Sequence, residues 1–271
     1  MKKFLSILLV LCLILTSLAL YSCDFGKKDD DDDDDDDDSK PLTTAEIIEN
    51  AVKETVEIKA AEVKLDLDVS IGMQGVSIAV PVDAVLKAAD GEASFDIELS
   101  FMGETMEINV YTDGEWLYIL EGGNGSKMLI PYQYLDNLDE ADIPFDSLDD
   151  AMSQIPEGTF DGVEVEENDG ETELSITFTK KDYPEIYDGI AYGMAQTGYA
   201  IDADDVSDID IAVVISEDGY VKALSVEFSV DAVIEGQNAK IDVKLAVEAT
   251  KVGKGVSVTP IPGCENFQIE G

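Results

Sequence analysis

The sequence contains no arginine and no histidine. All 17 basic residues are lysines, against 60 acidic residues, and the formal net charge at pH 7 is -43. Histidine is the commonest general base and metal ligand, and arginine supplies the paired hydrogen bonds that hold phosphate groups. Nucleic acid is excluded as a partner because its binding requires cationic side chains that displace counterions. The composition therefore argues against the commonest kinds of catalytic, metal-binding and phosphate-binding sites.

Cysteine is also scarce. Cys12 and Cys23 lie near the N-terminus, which leaves Cys264 without a partner for an intrachain disulfide, so a buried or incidental thiol is expected there. The motifs G-x-S-x-G, S-x-x-K and C-x-x-C do not occur. Pairs of carboxylates arise at every spacing in so acidic a chain and carry no information. We expect no catalytic residue, no cofactor and no specific metal site, and only loose association of divalent cations with the acidic surface.

The N-terminus has the layout of a secretory signal peptide, residues 1–22. MKK precedes the uncharged segment FLSILLVLCLILTSLAL. The residues Leu20 to Cys23 resemble the bacterial lipobox, although Tyr21 stands where a small or aliphatic residue is usual. The resemblance implies that acyl chains such as palmitate are attached to Cys23 and that the protein is extracytoplasmic, on the outer leaflet of the cytoplasmic membrane in a Gram-positive cell. The alternative is an uncleaved anchor helix, because the apolar run approaches the length that spans a bilayer.

Ten consecutive aspartates, Asp29–Asp38, follow the cysteine. Adjacent like charges cannot be desolvated into a core, so this segment is expected to be extended and solvated. The leader contributes +2 and residues 24–39 contribute -9, which leaves -36 for residues 40–271. Residues 23–40 are predicted to form a tether with a reach of at most about 60 Å, and anionic headgroups would repel it. The alternative is an acidic surface-export signal of the kind found in some Gram-negative lipoproteins.

Residues 41–271 are predicted to form a single, mainly β domain with a few helices. Apolar and polar residues alternate over 63–71 and 93–101, as they do in a strand with one dry face. Asp-Gly pairs at 90–91, 113–114, 169–170 and 218–219 are typical of tight hairpins. About eleven antiparallel strands are expected. Helical spacing predicts helices over 44–60, where Thr43 and Glu46 form a capping box, and over 145–155 and 182–198.

A sheet that is dry on one face must have that face covered. The sequence offers no second set of strands of a different type, so the helices are the predicted cover. The predicted architecture is a long, curved antiparallel meander that forms a half-open β-barrel, with the helices on its concave face.

This layout resembles the half-barrel lipoproteins and lipoprotein carriers of the LolA-like and LppX-like group. VSIGMQGVSIAV, SFMGETMEINVYTDGEWLYI and ISEDGYVKALSVEF are similar to segments of uncharacterised Gram-positive lipoproteins placed near that group. The resemblance implies a shallow apolar cavity for acyl chains beneath a helical lid. It supplies no site residue, and the arginine that such carriers often place near the cavity mouth has no counterpart here.

The predicted helix over 182–198 contains Gly189 and Gly193. Each costs about 1 kcal/mol relative to alanine inside a helix, and a weak helix suits a lid that lifts. The alternative is that the glycines allow close packing on the sheet. The predicted ligand site has its floor at Phe95, Leu99, Phe101 and Met106 and its cover at Met152, Tyr183, Tyr187 and Met194.

Two classes of function remain open from the sequence, and an enzyme is not among them. The first is a membrane-anchored protein that binds or carries an apolar ligand, such as a lipid or an acyl chain. The second is a structural or interaction lipoprotein whose core is packed shut and holds no ligand.

Lipidation at Cys23 gives the first testable prediction. Cys23→Ala should move the protein from the membrane fraction to the soluble fraction, because two or more acyl chains are what makes anchoring stable. Fractionation followed by intact-mass measurement checks this. A variant that stays in the membrane fraction with residues 1–22 uncleaved would identify a spanning helix instead.

Overall fold

The computed structural model describes residues 42–129, 162–195, 201–234 and 236–269. Within these residues there are two α-helices, α1 (Thr44–Val56) and α2 (Pro184–Ala195), and two short 3-10 turns at Ala203–Asp205 and Cys264–Asn266. The strands are β1 (Ala61–Met73), β2 (Val76–Ala89), β3 (Glu92–Phe101), β4 (Glu104–Thr112), β5 (Trp116–Glu121), β6 (Asn124–Leu129), β7 (Glu164–Asn168), β8 (Glu171–Phe178), β9 (Ile209–Ile215), β10 (Val221–Ile234), β11 (Gln237–Val252) and β12 (Gln268–Ile269).

All twelve strands belong to one curved sheet that does not close. Their order is β12-β6-β5-β4-β3-β2-β1-β11-β10-β9-β8-β7. The predicted half-open, mainly β architecture is therefore confirmed, with eleven strands paired antiparallel and a two-residue β12 that runs parallel to β6. The sheet consists of two meanders, β1–β6 and β7–β11, joined where β1 pairs with β11.

Alternation along each strand produces one continuous apolar face. In β1, Leu65, Leu67 and Val69 are buried, while Lys64 and Asp68 are exposed. Leu67 lies opposite Val82 of β2 and Leu245 of β11, so apolar residues stand side by side from strand to strand. A shift of the register by one residue would carry every one of these side chains to the polar face, and burial therefore fixes the pairing.

The two helices lie on this apolar face. The capping box at Thr43 and Glu46 starts α1 as predicted. The helix ends at Val56 rather than near residue 60, because the Thr55 hydroxyl accepts a hydrogen bond from the Val221 backbone N–H and the chain must then turn into β1. The helix predicted over 182–198 is found as α2, Pro184–Ala195, and the helix predicted over 145–155 lies outside the described residues. Neither described helix is long and apolar enough to span a bilayer.

Three clusters of buried residues hold the described part of the chain together. The largest joins β1, β2 and β9–β11 to Tyr187 of α2 and to Ile201 and Val206 of the segment that follows. A second cluster packs Ala51 of α1 against β8 and β9. The third lies on the other face of β4–β6 under the C-terminal segment. The described helices thus share buried clusters with β1, β2 and β8–β11.

The polar face carries a row of four carboxylates across neighbouring strands. Glu107, Glu98, Asp83 and Asp66 are successive partners in the registers of β4, β3, β2 and β1. Directly opposed like charges destabilise a sheet. A hydrogen bond shared with Asp66, and then burial, raise the pKa of Asp83. A hydrogen bond from Lys64 lowers the pKa of Asp66.

The raised pKa of Asp83 predicts a pH-dependent effect on stability. At neutral pH the ionised Asp83 opposes folding, and this penalty disappears as the pH falls through its folded-state pKa toward the unfolded value of about 3.9. Asp83→Asn should therefore increase the free energy of unfolding at pH 7 by roughly 0.2–1 kcal/mol, with a gain that shrinks toward pH 4. Denaturant titration at several pH values measures it.

The matched control is Asp68→Asn on the adjacent strand. Asp68 lies opposite Lys244 rather than opposite a carboxylate, so the control should not gain stability. The prediction is contradicted if Asp83→Asn increases the free energy of unfolding equally at every pH, or if it lowers the free energy of unfolding at pH 7.

Candidate apolar-ligand site

Tyr187 is the fully buried side chain among the described side chains of helix α2, and Ile190 packs against the same central cluster. The Tyr187 hydroxyl donates a hydrogen bond of 2.5 Å to the backbone carbonyl oxygen of Phe178, the last residue of β8. Burial raises the pKa of the Tyr187 phenol, and Asp208 adds to the effect. The ring of Tyr183, at the start of the helix, packs on the ring of Phe178 with centroids 4.4 Å apart. Both predicted cover tyrosines therefore contact the region where β8 ends.

The predicted floor residues lie on the apolar face of β3 and β4. Phe95 and Leu99 are half-buried and pack against the same central cluster as Tyr187. Met106 is half-buried and lies opposite Leu99 in the register. Phe101 lies at the end of β3 and is 38% exposed. The structure thus brings Phe95, Leu99 and Tyr187 into one cluster and leaves Phe101 at its edge. Met152 and the side chain of Met194 lie outside the described residues.

The apolar face continues beyond the predicted floor onto β4, β5 and β6. Val110 lies opposite Ile119, and Leu117 lies opposite Met128. These side chains are half-buried, and none packs against the buried clusters of the described residues. The strand alternation of Met106, Ile108 and Val110 is visible in the sequence. The apolar side chains of β5 and β6 were not recognised in the sequence, because each strand is only six residues long and the two strands flank the glycine turn at 122–123.

Gly189 of α2 distinguishes between the two explanations offered for the helix glycines. It is exposed, and a Cβ atom added there would meet nothing within 4 Å. Close packing on the sheet therefore does not require this glycine. What remains is the expected cost of a glycine inside a helix, about 1 kcal/mol relative to alanine.

The polar face of β4–β6 is occupied by the C-terminal segment. Ile261 and Cys264 are buried there against Tyr111 and Tyr118. Lys127 donates a hydrogen bond of 2.7 Å to the Glu265 carbonyl oxygen, and its ammonium lies 5.5 Å from the centre of the Trp116 ring. Burial raises the pKa of the Cys264 thiol. The thiol is therefore a buried core group, as expected from the sequence, and its raised pKa opposes reactivity.

A depression of about 440 Å³ lies on the polar face of β7–β10. Three hydroxyl and three carboxylate side chains line it: Ser175, Thr177, Ser225, Glu164, Asp210 and Glu227. Internal partners already use part of this set, since Thr177 donates to Asp210 at 2.6 Å and Lys244 donates to Glu227 at 2.8 Å. The depression is polar and is separated by the thickness of the sheet from the predicted apolar groove. Among the described residues, no group of three or more acidic or cysteine side chains converges as a metal site would require.

No protein-family model matches the chain, and no curated protein matches it. Among solved structures, it is similar to LprF from Mycobacterium bovis, with 12% identity over 80% of this chain and 95% of that chain and a TM-score of 0.34. It is also similar to Rv2717c from M. tuberculosis, with 9% identity over 78% of this chain and 100% of that chain and a TM-score of 0.22. A third similar structure is a DUF1329 family protein from Desulfovibrio piger, with 11% identity over 78% of this chain and 93% of that chain and a TM-score of 0.22. Similarities this weak carry no argument about function.

Gly189→Ala tests the weakness of α2. Because the added methyl group meets open space, the substitution should increase the free energy of unfolding by up to about 1 kcal/mol. Chemical denaturation measures the change. The contrasting control is Gly125→Ala, which should destabilise the protein because its Cβ would overlap the ring of Phe267. A loss of stability at Gly189 would show that this position is crowded after all.

Proposed function

We propose that this protein is an extracytoplasmic lipoprotein, anchored through Cys23, that binds an apolar ligand such as an acyl chain against the apolar face of β3–β6. The observation that carries the proposal is the half-buried state of that face. Six of its side chains lie outside every buried cluster of the described residues: Met106, Ile108, Val110, Leu117, Ile119 and Met128. A contiguous set of half-buried apolar side chains is the kind of surface that a ligand or a partner covers.

The chemistry of the site supports an apolar ligand. Each of the six side chains is aliphatic or a thioether, and flexible methionines adapt to partners of irregular shape. Glu98 and Glu107 of these strands are on the opposite face because strand alternation places them there, whereas the exposed Glu104 and Glu121 share the apolar face, opposite Phe101 and Ile108. A hydrocarbon chain that lies across Val110, Leu117 and Met128, away from Glu104 and Glu121, would not desolvate a charge, which would be costly.

The same properties favour binding rather than catalysis. The six side chains themselves include no group that can transfer a proton or attack a bond. The role of α2 is proposed to be that of a movable cover at the β3 edge of this face, since Tyr187 lies in the cluster against which Phe95 and Leu99 pack and Gly189 is a weak residue for a helix.

Substitution of Met106 tests the ligand site. The mature chain with Cys23→Ala, residues 23–271, avoids an attached acyl chain and removes no contact of the described residues. It should bind a fluorescent fatty acid, and Met106→Gln should weaken binding about five- to tenfold, because part of a methionine side chain would no longer be buried against the ligand. Fluorescence titration gives the affinity, and native mass spectrometry of the purified chain identifies any co-purified lipid.

The matched control is Glu107→Gln, the adjacent residue on the polar face, which should leave affinity unchanged. Melting temperatures of both variants separate a binding effect from unfolding. If the wild-type chain binds no fatty acid and releases no lipid on extraction, the alternative of a packed structural or interaction lipoprotein is the correct one.

A further inference from the structure

The two ends of the sheet differ in chemistry. The turns after β2, β4, β7 and β9 all lie at one end, and each contains an Asp-Gly pair, at 90–91, 113–114, 169–170 and 218–219. The turns after β1, β3 and β10 lie at the opposite end, as does the glycine turn after β5, which follows Glu121. The first three of these turns join six strands that are neighbours in the sheet, in the order β4-β3-β2-β1-β11-β10. They therefore form a row along one rim.

This rim exposes large apolar side chains. Met102 is 75% exposed, Val76 is 64% exposed and Val233 is 54% exposed, and Phe101 lies beside Met102. We call these four residues the apolar rim. In a chain with 28% charged residues, residues 69–82, which form the β1–β2 tip, contain no charge. The β3–β4 turn is less apolar, because the charged residue Glu104 follows it directly.

Met102 occupies a position where a polar residue would be more favourable. It has φ 52° and is followed by Gly103 with φ 86°, the positive pair of a two-residue hairpin turn. Asn, Asp and Gly are the residues that adopt this conformation readily, and the turns at Asp90 and Asp169 use Asp in the same place. An exposed methionine here is unfavourable for folding and solubility alike, so folding does not explain its presence.

We propose that the apolar rim docks on the surface of a lipid bilayer. Single apolar side chains on separate projecting turns suit a deformable partner, into which each tip can insert independently, better than a rigid protein surface. Shallow insertion of this kind gains free energy in proportion to the apolar area that enters the interface. The apolar face of β3 reaches the rim at Phe101, so a docked rim would join the proposed ligand site to the bilayer.

The length of the chain before the domain is compatible with this orientation. The last turn of α1 lies near the Asp-Gly end, since Thr55 contacts Val221 and Glu54 lies beside Gly219. Strand β1 has 13 residues, or about 44 Å at roughly 3.4 Å per residue. The tether of residues 24–40 reaches up to about 60 Å, so it can span the length of the domain and let the opposite rim touch the same membrane.

Vesicle flotation tests the docking of the rim. The mature chain with Cys23→Ala should float with vesicles of zwitterionic phosphatidylcholine. Anionic phosphatidylglycerol should reduce flotation at low salt, because the acidic chain is repelled, and added salt should restore it. The double variant Val76→Ser with Met102→Asn should weaken vesicle binding about tenfold. Its melting temperature should not fall, because Asn tolerates the backbone conformation of Met102.

The matched control is Ile269→Ser on β12, which removes an equally exposed side chain, 65% against 64% for Val76, away from the rim. It should leave flotation unchanged. A wild-type chain that does not float, or an equal loss in the control, overturns the proposal. The proposal is also overturned if the wild-type chain self-associates in sedimentation experiments and the double variant does not. That result would identify a second copy as the occupant of the rim. Fatty-acid affinity measured on the same variants tests the ligand site separately.

Discussion

The pairing of β1 with β11 is the interaction on which the rest of the structure depends. It joins residues 61–73 to residues 239–252 and places the two meanders side by side in one sheet. The largest buried cluster lies across this junction, where Leu67, Leu245 and Val230 meet Tyr187. Without the pairing, β1–β6 and β7–β11 would each have an unpaired edge and only half of an apolar face, and neither could bury its strands.

Local features of this fold are readable from the sequence, whereas the junction is not. Alternation identifies β1 and β3, the capping box identifies the start of α1, and Asp90-Gly91 and Asp169-Gly170 adopt the positive φ pairs of tight hairpins. The partner of β1 on its second side is chosen by packing between residues about 180 positions apart. Nothing in the local pattern of β1 distinguishes β11 from any other apolar strand, so a simple meander was the natural expectation.

The candidate site also has some features that can be read from the sequence and others that cannot. Phe95, Leu99 and Met106 could be assigned to one face because they alternate within β3 and β4, and Tyr187 could be placed on the inner side of a helix from its spacing. The contact of Tyr187 with the carbonyl of Phe178 could not be foreseen, since it depends on where β8 ends. The Asp-Gly pairs are visible in the sequence, but their location at a single end of the sheet follows only from the strand order.

The C-terminal segment has a consequence for the order in which the chain can fold. A chain is synthesised from its N-terminus, so the residues of β1–β6 are made before residue 261. Until Ile261, Cys264 and Phe267 arrive, Tyr111 and Tyr118 lack the side chains that cover them among the described residues, and the edge of β6 lacks β12. The last dozen residues therefore act as a closing step, and a chain shortened by that length would present an aromatic surface beside an open strand edge, a combination that favours aggregation.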